Sequence, residues 1–337
     1  MPLACLHRRS ASPAAASLRP GLAGSARIRG LAWSDRPRGE PCQSRLPGDG
    51  ECVSGQMISR DVRLWVAPPP DRVARACVLN GPLAAAHANR HVTGVIETGF
   101  HALVDGRRIA FRQRRGREPT IVFLPGYMSD MAGSKAMALF DWAGETDRAC
   151  LLFDYSGCGE SLGDFADGTL SRWCEEAVAV IETRTQGSVL LVGSSMGGWL
   201  MLLVAQALGD RVAALVGIAA APDFTQWGYD ACQKARLAAG ETLRLANPYG
   251  PEPTPVYPSF WADGETFRQL EHEIPFDGRV RLLHGLDDAD VPPEISLRVV
   301  AALRSQDVQV TLVKGGDHRL SRESDIALLL RTLAALV

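Results

Sequence analysis

The stretch Val189-Leu-Leu-Val-Gly-Ser-Ser-Met-Gly-Gly-Trp-Leu-Met-Leu-Leu-Val204 decides the architecture. Its first four residues read as a buried strand, and the run from Trp199 reads as a helix. Between them lies Gly193-Ser-Ser-Met-Gly197, followed by a further glycine, Gly198. A serine at the centre of G-x-S-x-G, on a sharp strand-to-helix turn, is held in a strained conformation with its hydroxyl projecting. Small neighbours are required because larger side chains would clash with the adjoining strand and helix. The helix N-terminus also favours negative charge at that point. Alone, the five-residue pattern is weak; between a buried strand and a helix it is specific, and it selects Ser195. Ser194 is the register alternative, but it lacks a glycine at the right offset on either side.

Outward from this turn, short apolar runs alternate with helix-length stretches. Residues 120–124, 149–153, 188–192, 213–218 and 280–283 read as buried parallel strands, with 308–313 as a sixth. Residues 135–142, 170–183, 197–208, 294–303 and 323–337 read as helices. That alternation implies an α/β fold, a mostly parallel sheet covered on both faces. Residues 101–112 read as a hairpin with an Asp105-Gly106 turn. The rhythm breaks between Phe224 and Asp277, where no strand signal occurs. Long insertions of this kind are usually functional. We expect a lid over about 225–278, with Phe260, Trp261 and Phe267 available to line an acyl pocket.

A serine hydroxyl needs a base to act as a nucleophile. On folds with such a turn, the acid and then the histidine follow the serine in the chain. Three histidines follow Ser195: His272 inside the insertion, His284 at the end of a strand-like run, and His318 in Lys314-Gly-Gly-Asp-His318 after the last strand. Only the last lies on a loop free to reach over the sheet, so His318 is the expected base. The acid is expected on the loop after the preceding strand, where Asp287, Asp288 and Asp290 are available. Asp317 reads as a turn or capping residue. A tetrahedral intermediate needs preorganised donors. Those expected are the backbone N–H of Met196, next after the serine, and of Tyr127, in the loop after the first buried strand.

The 337 residues carry a net charge of −2, which gives no global pull toward nucleic acid or anionic membrane. No apolar run is long enough to span a bilayer, and no stable membrane insertion is expected. Before residue 100 no hydrophobic period persists, and Gly, Pro, Ala, Ser and Arg dominate. We expect residues 1–99 to be a largely disordered extension. Its first 34 residues hold five arginines and no acid. That composition suits an organelle transit peptide, but the favoured reading is translation of a GC-rich region from too early a start. A cytoplasmic location is expected under the second reading and a mitochondrial one under the first. The eight cysteines are scattered, with no CxxC pair and no metal-ligand spacing. Free thiols, no metal and no organic cofactor are expected.

Several segments form a set: Phe123-Leu-Pro-Gly-Tyr-Met-Ser-Asp-Met-Ala-Gly-Ser-Lys-Ala136, Phe153-Asp-Tyr-Ser-Gly-Cys-Gly-Glu-Ser161, the Ser195 turn, Arg281-Leu-Leu-His-Gly285 and Asp317-His-Arg319. Together they resemble the α/β-hydrolase superfamily. Within it they are similar to the mitochondrial acyl-protein thioesterases of animals, also known as acyl-glucuronide esterases, and to their bacterial relatives. The likeness runs from about residue 100 to the end and does not visibly include the insertion. The family pattern HGxxDxxVP aligns with His284-Gly285, Asp288 and Val291-Pro292, which makes Asp288 the implied acid. Pro125-Gly126 stands where the family usually has His-Gly. The resemblance implies hydrolysis of thioester-linked acyl groups, such as S-palmitoyl cysteine on a protein, and of acyl-glucuronide esters. Residues 154–161 correspond to a supporting loop near the site; Cys158 within it has no base at hand. Other chemistry on the same three residues, such as carbon–carbon bond or lipid ester cleavage, is the first alternative. A non-catalytic binding protein is the second, and the intact Ser195, Asp288 and His318 argue against it.

Overall fold

The computed structural model describes residues 95–337. The arginine-rich leader, most of the expected extension, and Cys5, Cys42, Cys52 and Cys77 lie outside the described residues. An antiparallel pair opens the described chain, β1 (Ile96–Ala102) and β2 (Arg108–Arg114). Its turn is closed by Leu103 N–H donating to Arg107 O at 2.8 Å, with Gly106 at φ 89°. Among the described residues the sheet thus already includes Ile96 to Gly99, which precede residue 100. Ile96 to Gly99 pair with Phe111 to Arg114, a cross-strand relation that local composition does not reveal.

The succession then becomes β3 (Arg117–Leu124), α1 (Ser134–Glu145), β4 (Arg148–Phe153), α2 (Leu170–Arg184), β5 (Val189–Ser194), α3 (Met196–Leu208) and β6 (Val212–Ile218). An insertion follows, with α4 (Phe224–Trp227), α5 (Ala231–Ala238), β7 (Leu243–Leu245), β8 (Thr254–Val256) and α6 (Pro258–Thr266). The main fold resumes with β9 (Arg279–Gly285), α7 (Glu294–Ala302), β10 (Val308–Val313) and α8 (Glu323–Ala334). Eight strands form one sheet in the order β1-β2-β4-β3-β5-β6-β9-β10. All pairings from β4 through β10 are parallel, and β1 and β2 are antiparallel.

The strands read as continuous apolar runs because both faces are buried. Leu151 and Phe153 of β4 point into a core shared with α2, α3 and α7. Cys150 and Leu152, one residue out of phase, point into a second core with α1 and α8. Neighbouring strand residues thus serve opposite layers. The sixth run departs from this: β10 is the sheet edge, and its residues are half-buried or exposed.

The insertion carries a strand pair that the sequence does not signal. β7 and β8 are three residues each and pair antiparallel, Leu243 with Val256. Pro255 lies within β8, which suits a two-stranded edge but disguises the strand. A single carboxylate ties the insertion's two ends. Buried Asp223 accepts the N–H of Gln269 at 2.7 Å and of Leu270 at 2.8 Å. Among the described residues no helix is long and apolar enough to cross a membrane.

Candidate active site

Ser195 sits at the C-terminal end of β5, next to the point where the chain connections reverse direction across the sheet. Open α/β sheets place ligand sites there. Its backbone has φ 55° and ψ −120°, outside the ordinary basins of a residue with a side chain. The turn is held by Ser195 N–H donating to Ile218 O at 2.9 Å and by Gly198 N–H donating to Ser195 O at 2.8 Å. The flanking glycines answer to close backbone approach. A methyl group on Gly193 would lie 2.3 Å from Gly197 O, and one on Gly197 would lie 2.0 Å from Leu124 O. Ser194, the register alternative, is the last residue of β5.

His318, on the loop after β10, brings Nε2 to 3.0 Å from Ser195 Oγ and Nδ1 to 2.9 Å from Asp288 Oδ2. Because Asp288 can only accept, Nδ1–H donates to it, and the lone pair on Nε2 is left to accept the serine proton. Asp288 lies on the loop after β9, with its side chain fully buried. Its other oxygen, Oδ1, accepts the N–H groups of Asp290 at 2.9 Å and Val291 at 2.8 Å. Burial pushes the carboxyl pKa upward. Hydrogen bonds from His284 and His318 more than reverse this and hold it well below the usual carboxylate range.

The other candidates fall elsewhere. Asp290 accepts the hydroxyl proton of Tyr249. Asp287 is exposed. Asp317 Oδ1 accepts Leu320 N–H at 2.9 Å, the turn role expected of it. His272 is exposed on the insertion. His284 is fully buried, and its Nε2 lies 2.9 Å from Val291 O and 3.2 Å from Asp288 Oδ2. Both neighbours are acceptors, so Nε2 carries the proton, and Nδ1 accepts from Ser296 Oγ at 2.7 Å. His284 thus braces the acid. The sequence signal for this is its place at the head of the HGxxDxxVP pattern, four residues ahead of Asp288.

The N–H of Met196 opens α3 and has no helical acceptor. Leu124-Pro-Gly-Tyr127 passes directly over the serine, since a methyl group on Gly126 would lie 3.3 Å from Ser195 Cβ. The Tyr127 side chain anchors this loop to the insertion. Its hydroxyl donates to Pro255 O at 3.0 Å, and its ring centroid is 4.9 Å from those of Phe165 and Phe260.

Residues 154–161 brace the site from below. Asp154 accepts the N–H groups of Met131 at 2.7 Å and Glu160 at 2.8 Å. Buried Glu176 accepts from Ser156 N–H at 2.8 Å and from Arg107 at 2.6 Å. Burial pushes the Cys158 thiol up to about 12, a value that suits an inert side chain rather than a nucleophile. Cys150, Cys158, Cys174 and Cys232 are free thiols.

Two cavities meet at the serine. One, of about 240 Å³, lies between the β3–α1 loop and the His318 loop. The other, of about 270 Å³, lies under the insertion and is lined by Phe224, Trp227, Tyr229, Leu245, Val256 and Val291. Ser195, His318, Tyr127 and Tyr249 border both. The expected pocket aromatics are thereby corrected. Phe260 is buried in the main core, Trp261 Nε1 donates to Thr225 O at 3.2 Å, and Phe267 packs on the core's flank. Asp288, Asp290 and His318 do bring three potential metal-ligand atoms within 4.8 Å of one another. Those groups are already engaged with each other and with Tyr249.

Residues 121–335 match the Alpha/beta hydrolase family, and the chain belongs to it. Within that family it is similar to the palmitoyl-protein thioesterase ABHD10, mitochondrial, of Mus musculus. The two are 39% identical over 234 residues, which cover 68% of this chain and 78% of the relative. A crystal structure of a putative hydrolase from Agrobacterium vitis superposes with a TM-score of 0.68 at 38% identity, covering 72% of this chain and 99% of that one. The structure of mouse alpha/beta hydrolase domain-containing protein 10 does so with a TM-score of 0.67 at 35% identity, covering 71% and 98%.

Proposed function

We propose that the chain is a serine hydrolase that cleaves acyl thioesters, and carboxylic or acyl-glucuronide esters, through an acyl-enzyme on Ser195. The carrying observation is the continuous hydrogen-bonded line from Ser195 Oγ through His318 to buried Asp288. Relatives that carry the name palmitoyl-protein thioesterase support the bond class.

In the proposed cycle Ser195 Oγ attacks the acyl carbon as its proton passes to His318 Nε2. The N–H groups of Tyr127 and Met196 receive the developing oxyanion. Asp288 holds the imidazole tautomer and offsets the imidazolium charge. Collapse breaks the carbon–sulfur or carbon–oxygen bond, and His318 gives its proton to the departing thiolate or alkoxide. Water, deprotonated by His318, then attacks the acyl-enzyme and releases the carboxylic acid. The insertion acts as the lid over the acyl chain. The relatives' mitochondrial designation supports the organelle-leader reading of the first 34 residues over the cytoplasmic one.

A fluorophosphonate probe tests the nucleophile. The wild-type chain should be labelled on Ser195, and Ser195→Ala should abolish labelling and reduce thioester hydrolysis by on the order of 10⁴-fold or more. Undiminished labelling of the alanine variant would overturn the assignment.

A further inference from the structure

The two cavities that meet at Ser195 differ in charge. No lysine or arginine lines the larger one. The smaller one is lined by Lys135 and Arg319 beside Ser195 and His318. Among the described residues neither cation has a carboxylate within ion-pair distance. Lys135 Nζ donates to Arg319 O at 2.6 Å and reaches Ser321 Oγ only at 3.5 Å, which leaves ammonium donors free. The Arg319 guanidinium lies over the Tyr249 ring, 5.1 Å from its centroid. Gly133, Ser134 and Ala136 also line this cavity, so the N-terminus of α1 opens onto it. That end has no side-chain cap and no acid in its first turn. Its unpaired N–H groups and dipole favour an anion. One carboxylate, Asp130, shares the lining, and its Oδ1 accepts Ala132 N–H at 2.9 Å. A half-buried cation normally finds a counter-charge; Lys135 is half-buried without one, and the exposed Arg319 lines the same cavity beside Ser195.

We infer that the Lys135–Arg319 cavity binds the leaving group, and that this group is a small thiol or alcohol carrying a carboxylate or phosphate a few bonds from the reacting sulfur or oxygen. This rests on the serine-hydrolase reading and adds to it the chemistry of the departing half. The acyl chain takes the apolar cavity under the insertion, and the reacting carbonyl lies at the junction by Ser195. A cavity of about 240 Å³ has room for such an acid.

The test uses octanoyl thioesters of 3-mercaptopropanoate, of 2-mercaptoethyl phosphate and of neutral 3-mercaptopropanamide. Each kcat/KM is divided by the ester's hydroxide-catalysed rate, to remove leaving-group reactivity. In the wild type, at least one anionic ester should exceed the amide by about tenfold. Which one does so identifies the anion as carboxylate or phosphate. Lys135→Met and Arg319→Gln should each lower that ratio several-fold, and Lys135→Arg should restore it. A readout that needs no variant is inhibition of the wild type by the free mercapto acid, which should be tighter than by the mercapto amide. A ratio at or below one in the wild type would overturn the proposal, as would ratios unmoved by both charge-removing variants. No turnover of any ester, together with absent fluorophosphonate labelling, would instead remove the serine-hydrolase reading and this inference with it.

Discussion

The two sides of Ser195 are built from different material. The cationic side is walled by loops that leave the sheet itself, after β3 and after β10. The apolar side is walled mainly by the insertion between β6 and β9. The difference teaches how the labour is divided. In the proposed cycle the sheet's C-terminal ends position the reacting groups and the cationic cavity, where geometry must hold to fractions of an ångström. The insertion supplies an apolar wall, where shape matters and exact position matters less. Tyr249 and Tyr127 belong to both sides. Tyr249 carries Arg319 on its ring and donates to Asp290, and Tyr127 joins the proposed oxyanion loop to the strand pair of the insertion.

The largest expected effect belongs to the junction and should not discriminate between the sides. Asp288→Asn keeps the volume but leaves His318 Nδ1 facing an amide that can present a donor. Hydrolysis should fall by on the order of 10⁴-fold for every ester, anionic or neutral, long-chain or short. A loss confined to one ester class would break the view that the two cavities share a single reacting centre.

That unevenness also governs what the sequence reveals. Five of the six sheet runs are legible because burial on both faces makes each a continuous apolar stretch, while β10 at the edge keeps only its β-branched alternation, and the strand-to-helix glycines mark Ser195. His318 follows from its place after the last run. Asp288 needs the family pattern, since three aspartates lie within four residues and only folding decides which carboxylate reaches the imidazole. The pocket aromatics are misjudged for a related reason. Phe260 and Phe224 are equally apolar in sequence, but the helix that starts at Pro258 turns Phe260 inward while Phe224 lines the cavity. The roles of His284 and Lys135 arise only from side-chain contacts made in the fold, for Lys135 with a residue 184 positions away. Patterns of period two or 3.6 report burial, not which polar groups converge.

A smaller effect should separate the sides. Trp227 lines only the apolar cavity, and its indole N–H is already spent on Pro222 O at 2.8 Å. Trp227→Ala removes a wall from the acyl side alone. It should lower kcat/KM for long-chain esters by about tenfold relative to acetyl esters. The ratio between anionic and neutral leaving groups should not move. Chain-length profiles at a fixed leaving group measure the first quantity, and paired leaving groups at a fixed chain measure the second. If the variant shifts both ratios together, the cavities do not act as separate subsites.

The smallest expected effect is a pH dependence confined to the cationic side. Burial lowers the Lys135 ammonium from its ordinary 10.5 to about 8, and Arg319 adds to the lowering, while Asp317 and Asp325 oppose it. Asp130, Tyr249 and His318 also face the cavity. A lysine with a depressed pKa is charged below that value and neutral above it, so the attraction for an anionic leaving group is present at pH 7 and fades as pH rises through about 8. The bound anion stabilises the ammonium and moves the transition upward, so the midpoint in kcat/KM, which reports the free enzyme, is the one to follow. The ratio of anionic to neutral ester should fall about two- to fivefold between roughly pH 7 and 9.5, with Arg319 holding the remainder. A guanidinium stays charged throughout that range. Lys135→Arg should therefore flatten the profile without abolishing the preference. A wild-type ratio that stays flat, or a slope that survives in Lys135→Arg, would show that Lys135 is not the group that meets the anion.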